Sequence, residues 1–436
     1  MSKKTKLWLL LFLVAAAFFS FRKELKTASA QSAVHFSETE VINHFPDELI
    51  FQSKVLSSAG NITSARFIFT SENYYSSESF TKESLDILPG PEVSLEYILD
   101  TRDFTTPPMM TYTFHWEVET EHGTRYHSEP VTIRYEDTRF NWQVLENDDI
   151  GVWWHDRPAS FGESIFEIAA AAVENQRVLF QTDLDYQMRI VISNNSEEFA
   201  AWHNISHDWV GGQTFSNYGV TVQIVGSESF QNVWLNGVIP HEISHLYFDQ
   251  VTYNPTVSIP VWLNEGVAQY NEFVTHEWEA AQVKSAAKDG RLIPLSSLAN
   301  GFGAYDEERI YLAYHESLSA VTYLVDTYGS VELSKLLLAY KEGNPTDKAF
   351  QSTFGISIEE FELDWATSVG ATVYAIPTAR PLPTFFPSPT PGIMNNPATP
   401  TPLSSPGSMP SYINYISVIL LLGLSTGAFW YFKTRK

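Results

Sequence analysis

The sequence contains no cysteine among its 436 residues, so a disulfide framework and a thiolate metal site are both excluded. Basic residues are scarce: 27 Lys and Arg stand against 51 Asp and Glu, which gives a formal net charge of −24. This balance disfavours nucleic acid and anionic lipid as the main partners. At 44% hydrophobic and 14% aromatic residues, the chain is apolar and long enough to form two globular cores.

Both ends of the chain carry targeting patterns. Lysines precede an apolar run at residues 7–19, which predicts a signal peptide or an uncleaved signal anchor within residues 1–30. Residues 373–411 are rich in Pro, Thr and Ser and predict an extended stalk. Residues 412–432 predict one transmembrane helix, and the basic residues in 433–436 predict a cytoplasmic tail. A single-pass protein of the cell membrane is expected, with its globular part extracytoplasmic.

Residues 34–137 predict a β-sandwich domain. Between Tyr112 and Glu119, apolar and polar side chains alternate as in a half-buried strand, and similar short runs recur along this region. Several short strands over about a hundred residues favour an immunoglobulin-like or fibronectin type III-like sandwich. The region contains no recognisable chemistry. A spacer role is favoured, while a recognition module and a lid stay open.

The composition changes after residue 137, and residues 138–372 predict an α+β domain. A strand is expected at residues 187–193. Helices are expected at residues 165–180, 196–202, 277–288, 307–328, 331–340 and 358–368. The expected order is helix, strand, helix, edge strand and then the helix that carries the motif described next.

The central motif is His241-Glu242-Ile243-Ser244-His245. On a helix, positions i and i+4 lie on the same face, so the two imidazoles can reach one point. Neutral imidazole suits Zn²⁺, and Glu242 is placed to act as general base toward a water at the metal. A second pair with the same spacing at residues 203 and 207 lacks the intervening Glu, and no metal role is expected for it.

Glu265 follows the motif within an apolar, helix-like run and supplies a carboxylate of the type needed as third ligand. A metzincin is excluded, because Phe248 and Val251 occupy the positions of its Gly and third His. Asp249 and Asn264 are polar residues close to the ligands in sequence. They could orient the imidazoles from behind or simply face solvent.

The stretch PHEISHLYF followed by IPVWLNEGVAQYNE resembles the gluzincins, and specifically the bacterial peptidase-MA-like domain, a relative of the aminopeptidase-N group. The resemblance implies one Zn²⁺ bound by His241, His245 and Glu265. It also implies that Glu242 is the catalytic base and that a peptide or protein is the substrate.

The same resemblance points to Tyr314. In the aminopeptidase-N group, a Tyr that stabilises the tetrahedral intermediate lies on a helix that ends in Gly, and Tyr314 matches it relative to Gly329. A phenol there would donate a hydrogen bond to the developing oxyanion. The alternative is that Tyr314 is a core aromatic of an amphipathic helix.

One departure limits the resemblance. Aminopeptidases of that group carry a Gly-x-Met-Glu-Asn segment that binds the free amine of the substrate, and no such motif occurs between residues 218 and 229. This segment instead predicts a strand, which could pair with an extended peptide if it lies at a sheet edge. An endopeptidase is therefore predicted rather than an aminopeptidase.

The sequence thus predicts a multidomain, membrane-anchored zinc metallopeptidase. The alternative is a catalytically silent surface binding or adhesion protein that keeps a zincin scaffold. Glu242 argues against this alternative, since a scaffold needs no general base.

Overall fold

The computed structural model describes residues 33–75, 80–102, 106–202, 210–226, 231–372 and 418–420. The predicted signal segment, stalk and cytoplasmic tail lie outside these residues, as do His203 and His207. In the part of the chain that is described, no helix is both long enough and apolar enough to cross a membrane.

The N-terminal β region consists of two antiparallel sheets. Its strands are β1 (Val34–His44), β2 (Glu48–Ser57), β3 (Ile62–Ser71), β4 (Thr81–Leu85), β5 (Glu92–Asp100), β6 (Thr111–Thr120), β7 (Arg125–His127) and β8 (Val131–Arg134). One sheet has the order β1-β2-β5, and the other has the order β4-β3-β6-β7 with β8 paired to β6. The β-rich character predicted for this region is confirmed.

Aromatic side chains hold the two sheets together. The ring of Phe67 on β3 lies 4.7 Å from that of Phe51 on β2 and 4.8 Å from that of Trp116 on β6. All three side chains are fully buried, and they occupy the inward positions of strands whose other positions are mostly polar. The alternation seen in the sequence is therefore the alternation between core and surface.

A third sheet, of mixed parallel and antiparallel strands, organises the α+β region. Its strands are β9 (Gln143–Glu146), β10 (Ile150–Trp154), β11 (Met188–Ser193), β12 (Val210–Phe215) and β13 (Val220–Ile224), in the order β12-β13-β11-β10-β9. Strands β10, β11 and β13 run parallel, whereas β12 runs antiparallel to β13. One face contributes Trp153, Val191 and Val222 to the core of the β region, so the two regions share buried surface.

Helices make up the rest of the α+β region. They are α1 (Ala159–Phe180), α2 (Ser196–Ala200), α3 (Gln231–Thr252), α4 (Val261–Tyr270), α5 (Glu277–Lys288), α6 (Glu307–Tyr328), α7 (Ser330–Lys341), α8 (Thr346–Phe354) and α9 (Ile358–Ser368). Of these, α1 and α3 pack against the sheet. The helices and the strand predicted for this region are confirmed, with ends that differ by a few residues. Ser160 and Glu163 have the spacing of a capping box, but α1 begins before Ser160, with Pro158 as its N-cap and no side-chain cap.

The prediction about the sheet edge is wrong in one respect. The strand expected between residues 218 and 229 is β13, and it lies between β12 and β11 rather than at the edge. The neighbour of β13 on the outer side is β12, which contains Gly211 and Gly212. Glycine favours turns, but here its small size is needed within a strand. A Cβ on Gly212 would lie 2.7 Å from Oε1 of Glu242.

Three residues of the predicted transmembrane segment differ from the expected helix. Val418–Leu420 form β14, which pairs antiparallel with the outer side of β12. An open strand edge offers backbone hydrogen bonds, and a run of Val, Ile and Leu can take them as a strand. The rest of residues 412–432 lies outside the described residues.

Candidate metal centre

The motif helix α3 contains a proline immediately before its first histidine. Of the two arrangements that the sequence permits, the structure shows Pro240 inside the helix rather than at its start. Pro240 has no N–H to donate to the carbonyl of Asn236. That carbonyl instead accepts from the N–H of Phe273, at 2.8 Å, just beyond the end of α4. The proline thereby fastens the end of α4 to the metal helix.

His241, His245 and Glu265 come together as the sequence predicts. Nε2 of His241 lies 3.5 Å from Oε2 of Glu265, and Nε2 of His245 lies 3.8 Å from the same oxygen. The two imidazole rings are 4.9 Å apart and inclined at 70°. All three residues are buried, and their ligand atoms form a group in which every atom lies within 4.8 Å of the others.

These three side chains fit a metal ion. Nε2 of His241, Nε2 of His245 and Oε2 of Glu265 are buried and have no hydrogen-bond partner. A buried polar atom without a partner costs free energy, so three of them facing one point need something to satisfy them. Two imidazole nitrogens and one carboxylate oxygen are the ligand set of a catalytic zinc site with an open fourth position.

Both histidines are oriented from behind. Nδ1 of His241 donates to Oε1 of Glu272 at 2.7 Å, and Nδ1 of His245 donates to Oδ1 of Asn264 at 2.9 Å. A proton held on Nδ1 leaves the lone pair on Nε2, which faces the candidate site. The orienting role considered for Asn264 agrees with this contact. Asp249 instead accepts a hydrogen bond from the side chain of Ser216.

The different partners give the two histidines opposite pKa shifts. Burial lowers the pKa of both imidazoles, and for His245, which has a neutral amide partner, the result is a pKa of about 4. For His241 the carboxylates of Glu265 and Glu272 outweigh burial and raise the pKa to about 10. A metal that binds at neutral pH must therefore displace a proton from His241.

Glu242 is held beside the ligands by β12. The hydroxyl of Thr214 donates to Oε2 of Glu242 and lies 3.1 Å from its backbone carbonyl oxygen, while Oε1 is buried without a partner. Burial, helped by the charge of Glu265, raises the pKa of Glu242 to about 8 despite the opposing effects of His241 and Thr214. A carboxylate with a raised pKa can accept and return a proton near neutral pH.

Tyr314 lies on α6, which packs closely against α4. The contact requires Gly266, because a Cβ there would lie 2.3 Å from the carbonyl oxygen of Ser317. The Tyr314 side chain is buried, and its ring meets that of Phe302 edge-on at 4.9 Å. Burial and the charges of Glu265 and Glu242 raise its pKa well above the usual value. The Tyr314 hydroxyl is therefore close enough to Glu265 and Glu242 for their charges to affect its pKa.

Two contacts at the centre were not predicted from the sequence. Glu272 carried no usable signal, because it lies beyond the end of α4 at Tyr270, where helical spacing no longer applies. Thr214 carried none, because its neighbours Gly211 and Gly212 favoured a loop.

The α+β region with a buried His-His-Glu group has the character of a metallopeptidase domain, and comparison with known proteins agrees. Residues 172–371 match the family model of the Peptidase MA superfamily. No curated protein matches the sequence.

Solved structures with some similarity include an M1 zinc metallopeptidase variant from Deinococcus radiodurans. It is 14% identical, and the match covers 79% of this chain and 95% of that one at a TM-score of 0.35. An aminopeptidase N family protein from Idiomarina loihiensis is 11% identical, with 76% of this chain and 75% of that one covered at a TM-score of 0.40. Similarities at these scores do not by themselves establish a common fold.

Proposed function

We propose that the chain is a zinc endopeptidase, anchored in the cell membrane with its globular part outside. The observation that carries the catalytic part is the convergence of unpartnered buried atoms from His241, His245 and Glu265. Oε1 of Glu242, the residue next to His241, is also buried without a partner, and the charge of Glu242 interacts with those of His241 and Glu265. A metal completes the first three atoms, and a water molecule to be deprotonated is a fitting partner for the fourth.

The residues of the chain divide the chemistry between them. When bound by His241, His245 and Glu265, zinc supplies the Lewis acidity that activates water and polarises the scissile carbonyl. Glu242 takes a proton from that water and later delivers it to the leaving amine. The Tyr314 hydroxyl donates a hydrogen bond to the developing oxyanion.

Strand addition favours an endopeptidase. Gly212 on β12 lies against Glu242, and the outer side of β12 pairs with an extended segment, Val418–Leu420. In the proposed anchored protein these three residues leave β12 for the membrane, and the outer side of β12 is then open to a peptide. A peptide that pairs with this strand would run past the general base without needing a free end.

The proposed location rests on the sequence. The signal pattern within residues 1–30, the stalk at 373–411 and the apolar segment at 412–432 with its basic end together favour export and a single membrane anchor. Protease protection of the full-length protein in right-side-out and inverted vesicles tests this location. Digestion of the globular part in inverted vesicles only would contradict it.

The catalytic proposal is tested by Glu242→Gln in purified full-length protein. Turnover of a peptide library should fall by about 10²- to 10⁴-fold, whereas bound zinc should stay at one per chain. Glu277→Gln, on an exposed side chain at the start of α5, is the matched control and should retain turnover. Undiminished cleavage by Glu242→Gln would contradict the mechanism. Wild-type protein with zinc but without cleavage of any peptide would favour the alternative of a silent binding protein.

A further inference from the structure

The N-terminal β region reaches into the α+β region with one short segment, which we call the clasp and define as Glu72, Tyr74 and Tyr75. Glu72 forms a two-pronged ion pair with Arg189 on β11, with N–O distances of 2.7 and 2.8 Å. Both side chains are largely buried. Burial alone would raise the pKa of Glu72, but the hydrogen bonds from Arg189 and Tyr74 outweigh it, so the pKa is lower than usual and the carboxylate stays charged. A geometry of this kind fixes orientation as well as distance.

The two tyrosines of the clasp stack on partners from the α+β region. The ring of Tyr74 lies 3.9 Å from that of Tyr186, nearly parallel at 12°. The ring of Tyr75 lies 4.9 Å from that of Tyr253, which directly follows the metal helix α3. Stacked aromatic pairs contribute about 0.5–1.5 kcal/mol beyond the area they bury. The clasp is thus a specific joint rather than an incidental contact.

The clasp holds the helical turn Ser216–Tyr218, which joins β12 to β13. The N–H of Tyr74 donates to the carbonyl of Asn217 at 2.9 Å. Arg189, which Glu72 fixes, donates to the carbonyl of Tyr218 at 3.2 Å. Gly219 ends the turn at a φ of +62°, and a Cβ there would lie 2.7 Å from the ring of Tyr186. The turn is therefore shaped to receive the two stacked rings.

The same turn leads directly to the candidate centre. Its first residue, Ser216, donates to the carboxylate of Asp249, which lies one helical turn after His245 on α3. Two residues before the turn, Thr214 donates to the carboxylate of Glu242. Movement of the turn would change the position of β12 and, with it, the hydrogen bond that orients the general base.

We propose that the clasp is a positioning element of the peptidase centre: Glu72 and Tyr74 hold the turn 216–218, and the turn holds Thr214 against Glu242. The N-terminal β region is on this account a working part of the catalytic unit and not a spacer. The proposal rests on the proposed peptidase function, because it concerns the rate of that reaction.

Loss of the clasp should lower kcat more than it raises KM. The metal ligands come from α3 and α4, whereas Glu72 and Tyr74 contact β11 and the turn 216–218, so zinc should stay bound in variants of these two residues. The chemical step slows when the general base is displaced from the position in which it accepts the proton. A displacement near 1 Å can lower the rate of this step by up to ~10²-fold. We expect a loss of about tenfold in kcat for the removal of one clasp contact, with KM changed less than twofold.

The test uses full-length protein and a double-mutant cycle. Glu72→Gln is combined with Thr214→Val, and kcat, KM and bound zinc are measured for the two single variants and the double variant. If the clasp acts through Thr214, Glu72→Gln should cost about tenfold alone and less than twofold in the Thr214→Val background. Tyr74→Ala, which removes the stacked ring, should behave like Glu72→Gln, so the test does not depend on one variant.

A matched control separates positioning from general stability. Glu117→Gln removes a buried partner of Arg66 within the β region, far from the clasp, and should lower thermal stability without changing kcat. Hydrogen–deuterium exchange of residues 210–218 should speed up in the clasp variants and not in this control.

The outcomes are distinguishable. Wild-type cleavage with unchanged kcat in Glu72→Gln and Tyr74→Ala would overturn the positioning role alone. Equal losses of kcat from Glu72→Gln with and without Thr214→Val would also overturn it. A zinc-loaded wild-type protein that cleaves no peptide would overturn the proposed function itself, and the positioning role with it.

Discussion

The N-terminal β region and the metal centre treat buried polar groups in opposite ways. In the β region and its borders, buried carboxylates are paired: Asp137 with Arg139 at 2.6 Å, and Glu72 with Arg189 at 2.7 Å. In the metal centre, four buried side-chain atoms lie close together without hydrogen-bond partners; they belong to His241, Glu242, His245 and Glu265.

A binding site is marked by several unpartnered buried atoms that face one point, and not by a single unpartnered atom. The β region also has unpartnered buried atoms, such as Nε1 of Trp116 and Oδ1 of Asn43, but these two belong to strands of different sheets. An isolated unpartnered atom is a local cost in free energy. Several that face one point are a cost that a bound ligand can remove, and here the ligand set is that of zinc.

Among the substitutions considered below, the largest fall in kcat is expected for Tyr314, whose buried hydroxyl is assigned to the oxyanion. Tyr314→Phe removes the hydroxyl and keeps the ring that meets Phe302. If the hydroxyl serves the oxyanion, kcat should fall by about 10²- to 10³-fold, with zinc content and thermal stability nearly unchanged. Steady-state kinetics on the same peptides measures this.

Tyr311→Phe is the matched control for Tyr314→Phe. Tyr311 lies one turn earlier on the same helix, and its hydroxyl contacts Glu307 at 3.4 Å on the exposed side. It should retain kcat. Equal kcat in both variants would assign Tyr314 to the core, the alternative that the sequence left open.

A smaller effect is expected at Glu272. Glu272→Gln keeps an oxygen for Nδ1 of His241 but removes the negative charge that makes this imidazole a stronger ligand. Zinc affinity should fall by about 10- to 100-fold. Competition with a chelator of known affinity measures the change. Glu279→Gln, next to His276 and not in contact with His241, should keep the wild-type affinity. A Glu272→Gln affinity equal to that of the control would show that Glu272 has no role at the metal.

The smallest effect concerns Glu316, a buried acid that serves the fold. Both of its carboxylate oxygens lie within hydrogen-bonding distance of the N–H of Ile293, at 3.0 and 3.1 Å. Burial and the charge of Glu362 raise its pKa well above the usual value of 4.5. The folded protein thus holds this proton more tightly than the unfolded chain does. The contribution to stability is complete below the usual pKa and is lost as the pH rises through the raised one.

Glu316→Gln removes this titration. The free energy of unfolding should then decline less steeply with rising pH above the usual carboxyl pKa than it does in the wild-type protein. Urea unfolding at a series of pH values provides the measurement. Parallel pH profiles for the two proteins would rule out a raised pKa for Glu316.

Local patterns predicted much of the fold. Helices α5, α6 and α9 depend on short-range apolar spacing and on caps such as Asp306 and Ser357, both of which accept from the backbone at their helix starts. The spacing of His241 and His245 is likewise local, since it depends only on the pitch of one helix.

Contacts between distant parts of the chain could not be predicted. Glu272 reaches His241 because Pro240 frees a carbonyl that Phe273 then binds, and no pattern in the sequence shows that the end of α4 turns back onto α3. The clasp joins residues 117 positions apart, as in the pair of Glu72 and Arg189. Such pairings depend on how two sheets pack, which local propensity does not determine.

The central claim is that His241, His245 and Glu265 together hold one zinc ion. Anomalous scattering at the zinc absorption edge, measured on crystals of protein purified with zinc, tests it most directly. The account predicts one strong peak about 2.0–2.2 Å from Nε2 of each histidine and from a carboxylate oxygen of Glu265. Zinc-supplemented crystals with no peak between these three side chains would contradict it.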